Sequence, residues 1–239
     1  MVINWLTRSR HNRYDLVFNS NNVLEGLNST ANYLHYIYFP LTAYSAELGD
    51  SPGSAWVRFY SKLANWILTH SGQPLTDDEV YTISEYSQNA VVRIYPRLAG
   101  RVHVIYPPSF DDHFIDHDDR AARCLSVGSI VPVKKQLQQL AIARQLPQIE
   151  FWLVGNVKSL AYYRQCCTYI ERNNIFNARI QTDMPFDRLQ RALGEATYFL
   201  HTMEGEHFGM ATVEAIAAGC IPIVPNSGGQ CEIVPVENL

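Results

Sequence analysis

The chain has 239 residues, a net charge of −4, and 47% hydrophobic against 18% charged residues. This composition is typical of a globular protein that buries a hydrophobic core, and it excludes a disordered or fibrous chain. The slightly acidic balance lacks the basic bias of nucleic-acid-binding proteins, so we expect no nucleic-acid partner. Because domains of about 100 to 150 residues are the commonest, the length predicts two of them.

The cellular compartment is predicted from the cysteines and from the lack of long apolar segments. The five cysteines are odd in number and include no CxxC pair, which favours reduced thiols over a disulfide framework or a zinc site. No run of 18 apolar residues occurs, and the first residues lack the apolar segment of a signal peptide. We therefore expect a cytoplasmic protein that does not cross a membrane.

The first half of the chain combines short apolar strands with amphipathic helices. Strands rich in aromatic and β-branched residues are predicted at 15–19, 33–38, 81–84 and 102–106. Helices are predicted at 54–69, which carries many aromatic residues, and at 88–95. Packing in the core is the favoured role of the aromatic helix, with contact at a membrane surface as the alternative.

A linker is predicted between the two halves. Pro107 and Pro108 end the last strand of the first half, and the acidic segment 109–123 is typical of a solvated connection. His113 and His117 within this segment leave a metal site as the alternative. The predicted domains are residues 1–115 and residues 116–239.

The second half alternates between strands and helices. Its predicted strands are 124–127, 150–154, 178–181, 198–201 and 221–224. Its predicted helices are 134–145, 160–173, 185–196 and 211–218. Nearly continuous apolar strands in such an alternation predict a parallel sheet covered by helices on both faces, which is a Rossmann-like domain. A ligand is then expected beyond the carboxyl ends of the strands.

Small residues follow several of these strands at the edge where the ligand is expected. Backbone N–H groups at glycines can approach a ligand closely, because no side chain intervenes. The candidate binding residues are Gly128 and Ser129 after the first strand, Gly155 after the second, and Ser227, Gly228 and Gly229 after the fifth.

The segment after the fourth strand carries two glutamates and a glycine just before a helix. Gly209 precedes the predicted helix 211–218, and the N–H groups at the start of that helix would suit a diphosphate. Glu206 and Glu214 would lie about 12 Å apart along the axis if all residues between them were helical. That separation excludes a proton-sharing pair, but it allows the two carboxylates to hold opposite ends of one extended ligand.

Motifs spread over most of the chain resemble those of one enzyme family. Glu206 and Glu214 match the two ends of the E-x7-E signature of retaining glycosyltransferases of the GT-4 type. In the first half, YLHYIYFP, ISEYSQNAVVRIY and VIYPP resemble the family's Y-x-H-Y-P strand, its N-S-x-[FY]-[TS] helix start and its domain-closing segment. Mannosyltransferases that extend dolichol-linked oligosaccharides have the nearest pattern, because they share HTM-x-x-EHFG and the NSGG turn.

The resemblance implies a fold and a reaction. The fold is α/β and of the GT-B type, with two Rossmann-like domains that face each other across a cleft and an incomplete N-terminal domain. The reaction is transfer of a hexose, mannose favoured, from GDP-mannose or a UDP-sugar to a glycan or lipid-linked acceptor, with retention of configuration. The resemblance implies no obligatory metal and no other cofactor.

The resemblance also implies roles for individual residues. The catalytic candidates are Glu206 and His35, which would contact the donor sugar, and Lys134, which would contact the diphosphate. Glu214 would bind the ribose. The other donor-binding candidates in this segment are His207, Phe208, Gly209, Met210 and Ala211.

Two positions depart from the family pattern. Ser129 occupies the position of the arginine that clamps the diphosphate, and Val131 occupies the neighbouring position where the dolichol-pathway enzymes carry one. Loss of such a charged contact costs about 1.5 to 3 kcal/mol in binding. A sugar-nucleotide-binding or partner-binding module with weak or no transfer activity is therefore the alternative function. A GT-B-fold epimerase or phosphorylase is disfavoured, because no sequence context for a pyridoxal-phosphate lysine is present.

Other interpretations stay open for two catalytic candidates. His35 is also compatible with a hydrogen-bonded core histidine, and Lys134 with a solvated helix start. The family pattern further predicts that the chain begins inside the acceptor-binding domain. We therefore expect either a fragment or a naturally short form whose acceptor site is built differently or supplied by a partner chain. A dolichol-linked acceptor would bring the protein to the cytosolic membrane surface.

Overall fold

The computed structural model describes residues 16–20, 32–40, 59, 79–108 and 120–234. The chain divides into two compact units, Met1–Pro107 and Pro108–Leu239. The division falls a few residues before the predicted domain boundary. Of the predicted aromatic helix 54–69, only Phe59 is described, and it is helical. His113, His117 and most of the predicted linker lie outside the described residues.

The first unit contains a four-stranded parallel sheet with the order β1-β2-β3-β4. Its elements are β1 (Leu16–Asn19), β2 (Asn32–Ile37), β3 (Glu79–Thr82), helix α1 (Glu85–Ile94), a 3-10 turn (Pro96–Leu98) and β4 (Val102–Val104). Helix α1 packs on the sheet through Val91, which joins a buried cluster with Ile37, Val80 and Val102. All four strands were predicted, each within two residues at its start.

Helix α1 begins three residues before the predicted start, because Ser84 caps it. The Ser84 backbone is extended, and its side chain accepts a hydrogen bond from the Ser87 N–H at 3.0 Å. Such a cap satisfies one of the unpaired N–H groups of the first turn. The predicted strand 81–84 was therefore wrong at its carboxyl end, where it included the capping residue.

The second unit contains a five-stranded parallel sheet with the order β7-β6-β5-β8-β9. Its strands are β5 (Ala121–Val127), β6 (Glu150–Val154), β7 (Ala178–Gln181), β8 (Ala196–Leu200) and β9 (Ile221–Ile223). Its helices are α2 (Gln136–Gln145), α3 (Leu160–Arg172), α4 (Phe186–Glu195) and α5 (Met210–Ala217), with 3-10 turns at Pro132–Lys134 and Gly229–Glu232.

Both faces of this sheet are buried, as the apolar strands predict. Neighbouring residues of one strand point to opposite faces: Cys124 and Phe151 pack on one side with residues of α2 and α3. Leu125 and Trp152 pack on the other side with residues of α4 and α5. The predicted α/β fold with parallel sheets is thus confirmed for the residues that the structure describes.

Three predicted starts in the second unit were wrong by two or three residues, and one of them is that of β8, which begins at Ala196 instead of Tyr198. Strand β5 starts at Ala121, inside the predicted linker, with a shift in register between Ala121 and Cys124 against β8. Helix α2 starts at Gln136 instead of Lys134, because Lys134 belongs to the 3-10 turn and Lys135 is left-handed, with φ of 55°. A left-handed residue cannot continue a right-handed helix.

In the described segments, every helix is too short or too polar to pass through a bilayer.

Candidate functional site

The strand order brings together two loops that are distant in sequence. Strand β8 lies beside β5, so the loop that follows each strand emerges at the same edge of the sheet. The loop after β5 carries Lys134, and the loop after β8 carries Glu206. The two side chains meet although 72 positions separate them.

Glu206 is held by two basic side chains. Its Oε2 atom lies 2.5 Å from Lys134 Nζ and 3.1 Å from His201 Nε2. The side chains of Lys134, Glu206 and His201 are 23%, 16% and 5% exposed, so little solvent screens their interaction. The other carboxylate oxygen accepts a hydrogen bond from the His207 N–H at 3.2 Å.

These contacts keep Glu206 ionised. Burial alone raises the pKa of the Glu206 carboxyl, but the hydrogen bond from His201 and the charge of Lys134 outweigh burial and lower that pKa to about 2. A carboxylate with so low a pKa is a weak base near neutral pH. Its chemistry is therefore that of a fixed anion that accepts hydrogen bonds.

The turn after β9 lies directly against the Glu206 loop. The Gly229 N–H donates to the Glu206 carbonyl at 2.7 Å, and the Ser227 hydroxyl accepts from the Gly205 N–H at 3.2 Å. A Cβ atom at Gly228 would overlap the backbone of Glu206, and one at Gly229 would overlap the backbone of His207. The structure thus gives a steric reason for both glycines, which is close packing of two backbones.

A second close approach joins the loops after β5 and β6. A Cβ atom at Gly155 would overlap the carbonyl of Gly128, whereas one at Gly128 would meet only the flexible side chain of Lys134. The Ser129 carbonyl accepts a hydrogen bond from Gln136 Nε2 at 2.9 Å. Gly128, Ser129 and Gly155 therefore lie together at the edge of the sheet where the ligand was predicted.

Helix α5 begins at Met210, one residue before the predicted start at Ala211. Gly209 adopts φ of 110°, a conformation that favours glycine, and no side chain caps the helix. The Gly209 carbonyl accepts hydrogen bonds from the N–H groups of Thr212 and Val213. Phe208 is buried in front of this helix.

Glu214 lies in the middle of α5. The helix starts only at Met210, so residues 206–214 are not all helical and the separation estimated for a continuous helix does not apply. Burial raises the pKa of the Glu214 carboxyl. The pKa of Glu214 is therefore shifted in the opposite direction from that of Glu206, because no nearby cation offsets the effect of burial.

His35 belongs to the other unit. It lies in β2, in register with Val80 of β3, and its side chain is fully buried. This burial favours the alternative interpretation, a core histidine.

Three polar residues of the site were not among the predicted site residues. His201 contacts Glu206, and Thr202 donates a hydrogen bond to the Lys134 carbonyl at 2.7 Å. Gln230 is fully buried, and its Nε2 atom lies 3.1 to 3.3 Å from the carbonyls of Met203, Pro225 and Ser227. A signal existed for His201 and Thr202, because polar residues directly after a parallel strand are candidates for a site.

Across the described ranges, no group of three or more histidine, cysteine, aspartate or glutamate residues has the geometry to hold a metal ion.

Residues 110–237 match the family described as glycosyl transferases group 1. The matched range contains both loops that carry Lys134 and Glu206, and the turn at Gly228 and Gly229.

Sequence relatives include GDP-Man:Man(3)GlcNAc(2)-PP-Dol alpha-1,2-mannosyltransferases of two distant organisms. The protein of Yarrowia lipolytica is 47% identical over 234 residues, which cover 83% of this chain and 36% of the relative. The human protein is 30% identical over 173 residues, which cover 64% of this chain and 35% of the relative. The chain thus spans about a third of the length of the relatives it matches.

Similar solved structures include HepE of Anabaena and the glycosyltransferase WaaG. HepE of Anabaena, solved in complex with UDP-glucose, has a TM-score of 0.74 at 16% identity, covering 97% of this chain and 67% of HepE. WaaG, a glycosyltransferase involved in lipopolysaccharide biosynthesis, has a TM-score of 0.70 at 15% identity, covering 98% of this chain and 64% of WaaG. At such identities these likenesses show the fold alone.

Proposed function

The chain belongs to the glycosyl transferases group 1 family, and from this membership we propose that it binds GDP-mannose and serves the transfer of mannose to a dolichol-linked glycan. The predicted GT-B glycosyltransferase family is confirmed, as is the predicted similarity to dolichol-pathway mannosyltransferases. The choice of mannose and of the acceptor rests on the relatives, each of which is much longer than this chain.

The observation that carries the proposal is the Lys134–Glu206 pair at the carboxyl edge of the second sheet. One member is a cation for a phosphate, and the other is a fixed anion for sugar hydroxyls. Since the two atoms lie 2.5 Å apart, they suit the junction between the sugar and the diphosphate of one ligand. The start of α5 near Gly209, without a side-chain cap, suits the diphosphate itself.

The electrostatics of the pair favour a binding role for Glu206 in the reaction. When the bond between the sugar and the diphosphate breaks, negative charge develops on the leaving diphosphate, and Lys134 would stabilise it. The low pKa of Glu206 makes it a poor proton acceptor at neutral pH, so it would hold the sugar hydroxyls instead. We expect retention of configuration without a protein base at this position, and without an obligatory metal.

Glu214, the glycine turns and the backbone of residues 207–211 complete the proposed donor site. Glu214 in α5 would accept hydrogen bonds from the ribose, and its raised pKa is consistent with a carboxyl shielded from solvent. Gly155, Gly228 and Gly229 would shape this site by letting its loops pack backbone against backbone, and Gly128 lies beside the side chain of Lys134. A lipid-linked acceptor would bring the protein to a membrane surface.

One observation favours a second candidate function, a module that binds the nucleotide sugar without transfer. Ser129 replaces the clamp arginine, and the nearest additional cation in sequence, Lys135, already forms an ion pair with Glu204 at 2.6 Å. Lys134 would then carry the diphosphate charge alone. A weaker cation set stabilises the leaving group less, so binding would survive better than transfer.

Calorimetric titration of the chain with GDP-mannose, UDP-glucose and UDP-N-acetylglucosamine tests donor binding, and release of free sugar from the bound donor tests its activation. We expect binding of GDP-mannose in preference to both UDP-sugars. Binding without sugar release would support the second candidate. The donor-binding proposal would be abandoned if none of the three nucleotides binds at millimolar concentration.

A further inference from the structure

A chain of hydrogen bonds behind Lys134 connects three elements of the second unit. Gln139 in α2 donates from Nε2 to the Thr202 hydroxyl oxygen at 2.8 Å. The Thr202 hydroxyl in turn donates to the backbone carbonyl of Lys134 at 2.7 Å. Both Gln139 and Thr202 are buried. The bonds therefore form in a region where water competes little with them.

The chemistry of the groups fixes the direction of these bonds. A carbonyl oxygen only accepts, so the single hydroxyl proton of Thr202 must point at Lys134. The Thr202 oxygen then has lone pairs left for the amide N–H of Gln139. The Thr202 hydroxyl thus accepts from Gln139 and donates to the Lys134 carbonyl, and these two bonds together fix the direction of its proton.

The backbone that Thr202 contacts has an unusual conformation. Lys135 is left-handed, with φ of 55°, and it stands between the 3-10 turn Pro132–Lys134 and helix α2. A lysine in this conformation is strained relative to glycine. Such strain persists when neighbouring contacts hold the backbone, and the bond from Thr202 to the Lys134 carbonyl is such a contact.

The other end of the same loop is also fixed. Gln136 binds the Ser129 carbonyl, and the Ile130 N–H donates to the Asn156 carbonyl at 2.9 Å. With Thr202 at the Lys134 end, the loop between β5 and α2 is anchored at both ends. The side chain of Lys134 leaves this fixed backbone to meet Glu206.

We propose that Thr202 is a positioning residue that sets the backbone at Lys134, so that the Lys134 ammonium meets both Glu206 and the diphosphate of the donor. The proposal rests on the donor-binding function proposed above. Thr202 touches no ligand in this scheme; it acts through the carbonyl of Lys134. Gln139 orients the hydroxyl of Thr202, and it therefore acts on the position of Lys134 only through Thr202.

The test compares three variants of the full chain. Thr202→Val removes the hydroxyl and keeps the shape, whereas Thr202→Ser restores the hydroxyl. The matched control is Thr197→Val near the start of β8, the strand that Thr202 follows, because the Thr197 hydroxyl also donates to a backbone carbonyl, that of Ala121, at 2.7 Å. A general loss from removing a threonine hydroxyl that binds a backbone carbonyl would appear in both valine variants.

The binding measurement uses GDP and GMP. A misplaced Lys134 loses its contact with the diphosphate, so Thr202→Val should lower the ratio of GDP affinity to GMP affinity by about tenfold. Thr202→Ser should restore the ratio, and Thr197→Val should leave it unchanged. A purely structural role of Thr202 would lower the thermal stability without changing this ratio, and that result would overturn the proposal.

A second measurement needs no nucleotide. Amide hydrogen exchange of the ligand-free chain should be faster in residues 131–137 for Thr202→Val, and unchanged there for Thr197→Val. If Thr202→Val does not fold, Gln139→Leu removes the donor to the Thr202 hydroxyl and should accelerate exchange in the same segment. Unchanged exchange would refute the positioning role. Failure of the unmutated chain to bind GDP would instead count against the donor-binding function.

Discussion

Two charged clusters stand at opposite edges of the second sheet, and they differ in how far their charges are exposed to solvent. At the amino ends of the strands, Glu150 accepts hydrogen bonds from Arg123 at 2.8 Å and from Arg179 at 2.6 Å. Both guanidinium groups lie over the ring of Trp152, at 4.0 and 3.7 Å from its centroid. Arg123 also reaches Glu195 at 3.2 Å. This cluster is closed, since each charge has its partner within it.

The cluster at the carboxyl ends of the strands is smaller and lies beside glycines. Glu206 is 16% exposed against 39% for Glu150, and its partners are the Lys134 ammonium and the His201 ring. The turn at Gly228 packs directly against its backbone. The comparison separates two uses of the same interaction: the more exposed cluster joins side chains of neighbouring strands, whereas the buried pair joins the loops after β5 and β8, where the donor site is proposed.

The largest expected effect concerns the pH dependence of stability. Because the pKa of Glu206 is about 2 in the folded protein and near 4.5 when unperturbed, its contribution of about 3 kcal/mol is complete above pH 4.5 and is lost as the pH falls towards 2. Glu206→Gln should therefore lose less unfolding free energy between pH 5 and pH 2.5 than the unmutated chain. Urea unfolding measures this difference. Parallel pH curves for both proteins would contradict the expectation.

Glu150→Gln sharpens the same comparison. The pKa of the Glu150 carboxyl is also lowered: burial alone would raise it, but the hydrogen bond from Arg123 and the charges of Arg123 and Arg179 outweigh burial. Its greater exposure screens those interactions. The part of the unfolding free energy that depends on pH should thus be smaller for Glu150 than for Glu206.

The next effect concerns binding at the two clusters. Glu206→Gln removes a fixed anion from the proposed sugar site, and loss of a charged hydrogen bond costs about 1.5 to 3 kcal/mol, or roughly 10- to 150-fold in donor affinity. Glu150→Gln at the opposite edge should leave the affinity for GDP-mannose unchanged. Calorimetric titration of both variants with GDP-mannose measures the two affinities. Equal losses in the two variants would remove the distinction between the clusters.

The smallest expected effect concerns the closed cluster itself. Arg179→Ala removes one guanidinium from Trp152 and one partner from Glu150, which should lower the unfolding free energy by about 1 kcal/mol. The control is Arg191→Ala, because the pair of Arg191 with Asp187, one helical turn away, is exposed. That change should cost less than about 0.5 kcal/mol. Denaturant midpoints at pH 7 compare the two.

The sequence predicted the elements of the second sheet well because strand and helix signals there are regular. Apolar strands such as 150–154 are found where they were predicted. Errors arose where local chemistry differs from the periodic signal. Ser84 ends a strand by capping a helix, and Lys135 delays a helix by adopting a left-handed conformation. A lysine gives no warning of such a conformation, whereas a glycine would.

The site was only partly predictable, because its central contact depends on strand order. Lys134 and Glu206 were both candidates, but they were assigned to different parts of the ligand without a mutual contact. Their meeting requires β8 to lie beside β5, and sequence spacing does not specify this order. Thr202 and Gln230 donate hydrogen bonds to backbone carbonyls, and every residue has such a carbonyl. The sequence therefore does not show which carbonyls accept these bonds.

The contact between the turn at Gly228 and Gly229 and the loop at Glu206 has a mechanical consequence. Two backbones that touch without intervening side chains leave no gap through which either can slide past the other. The hydrogen bond from Gly229 to Glu206 joins them as well. A displacement of residues 204–209 would therefore break these contacts unless residues 226–232 moved with them.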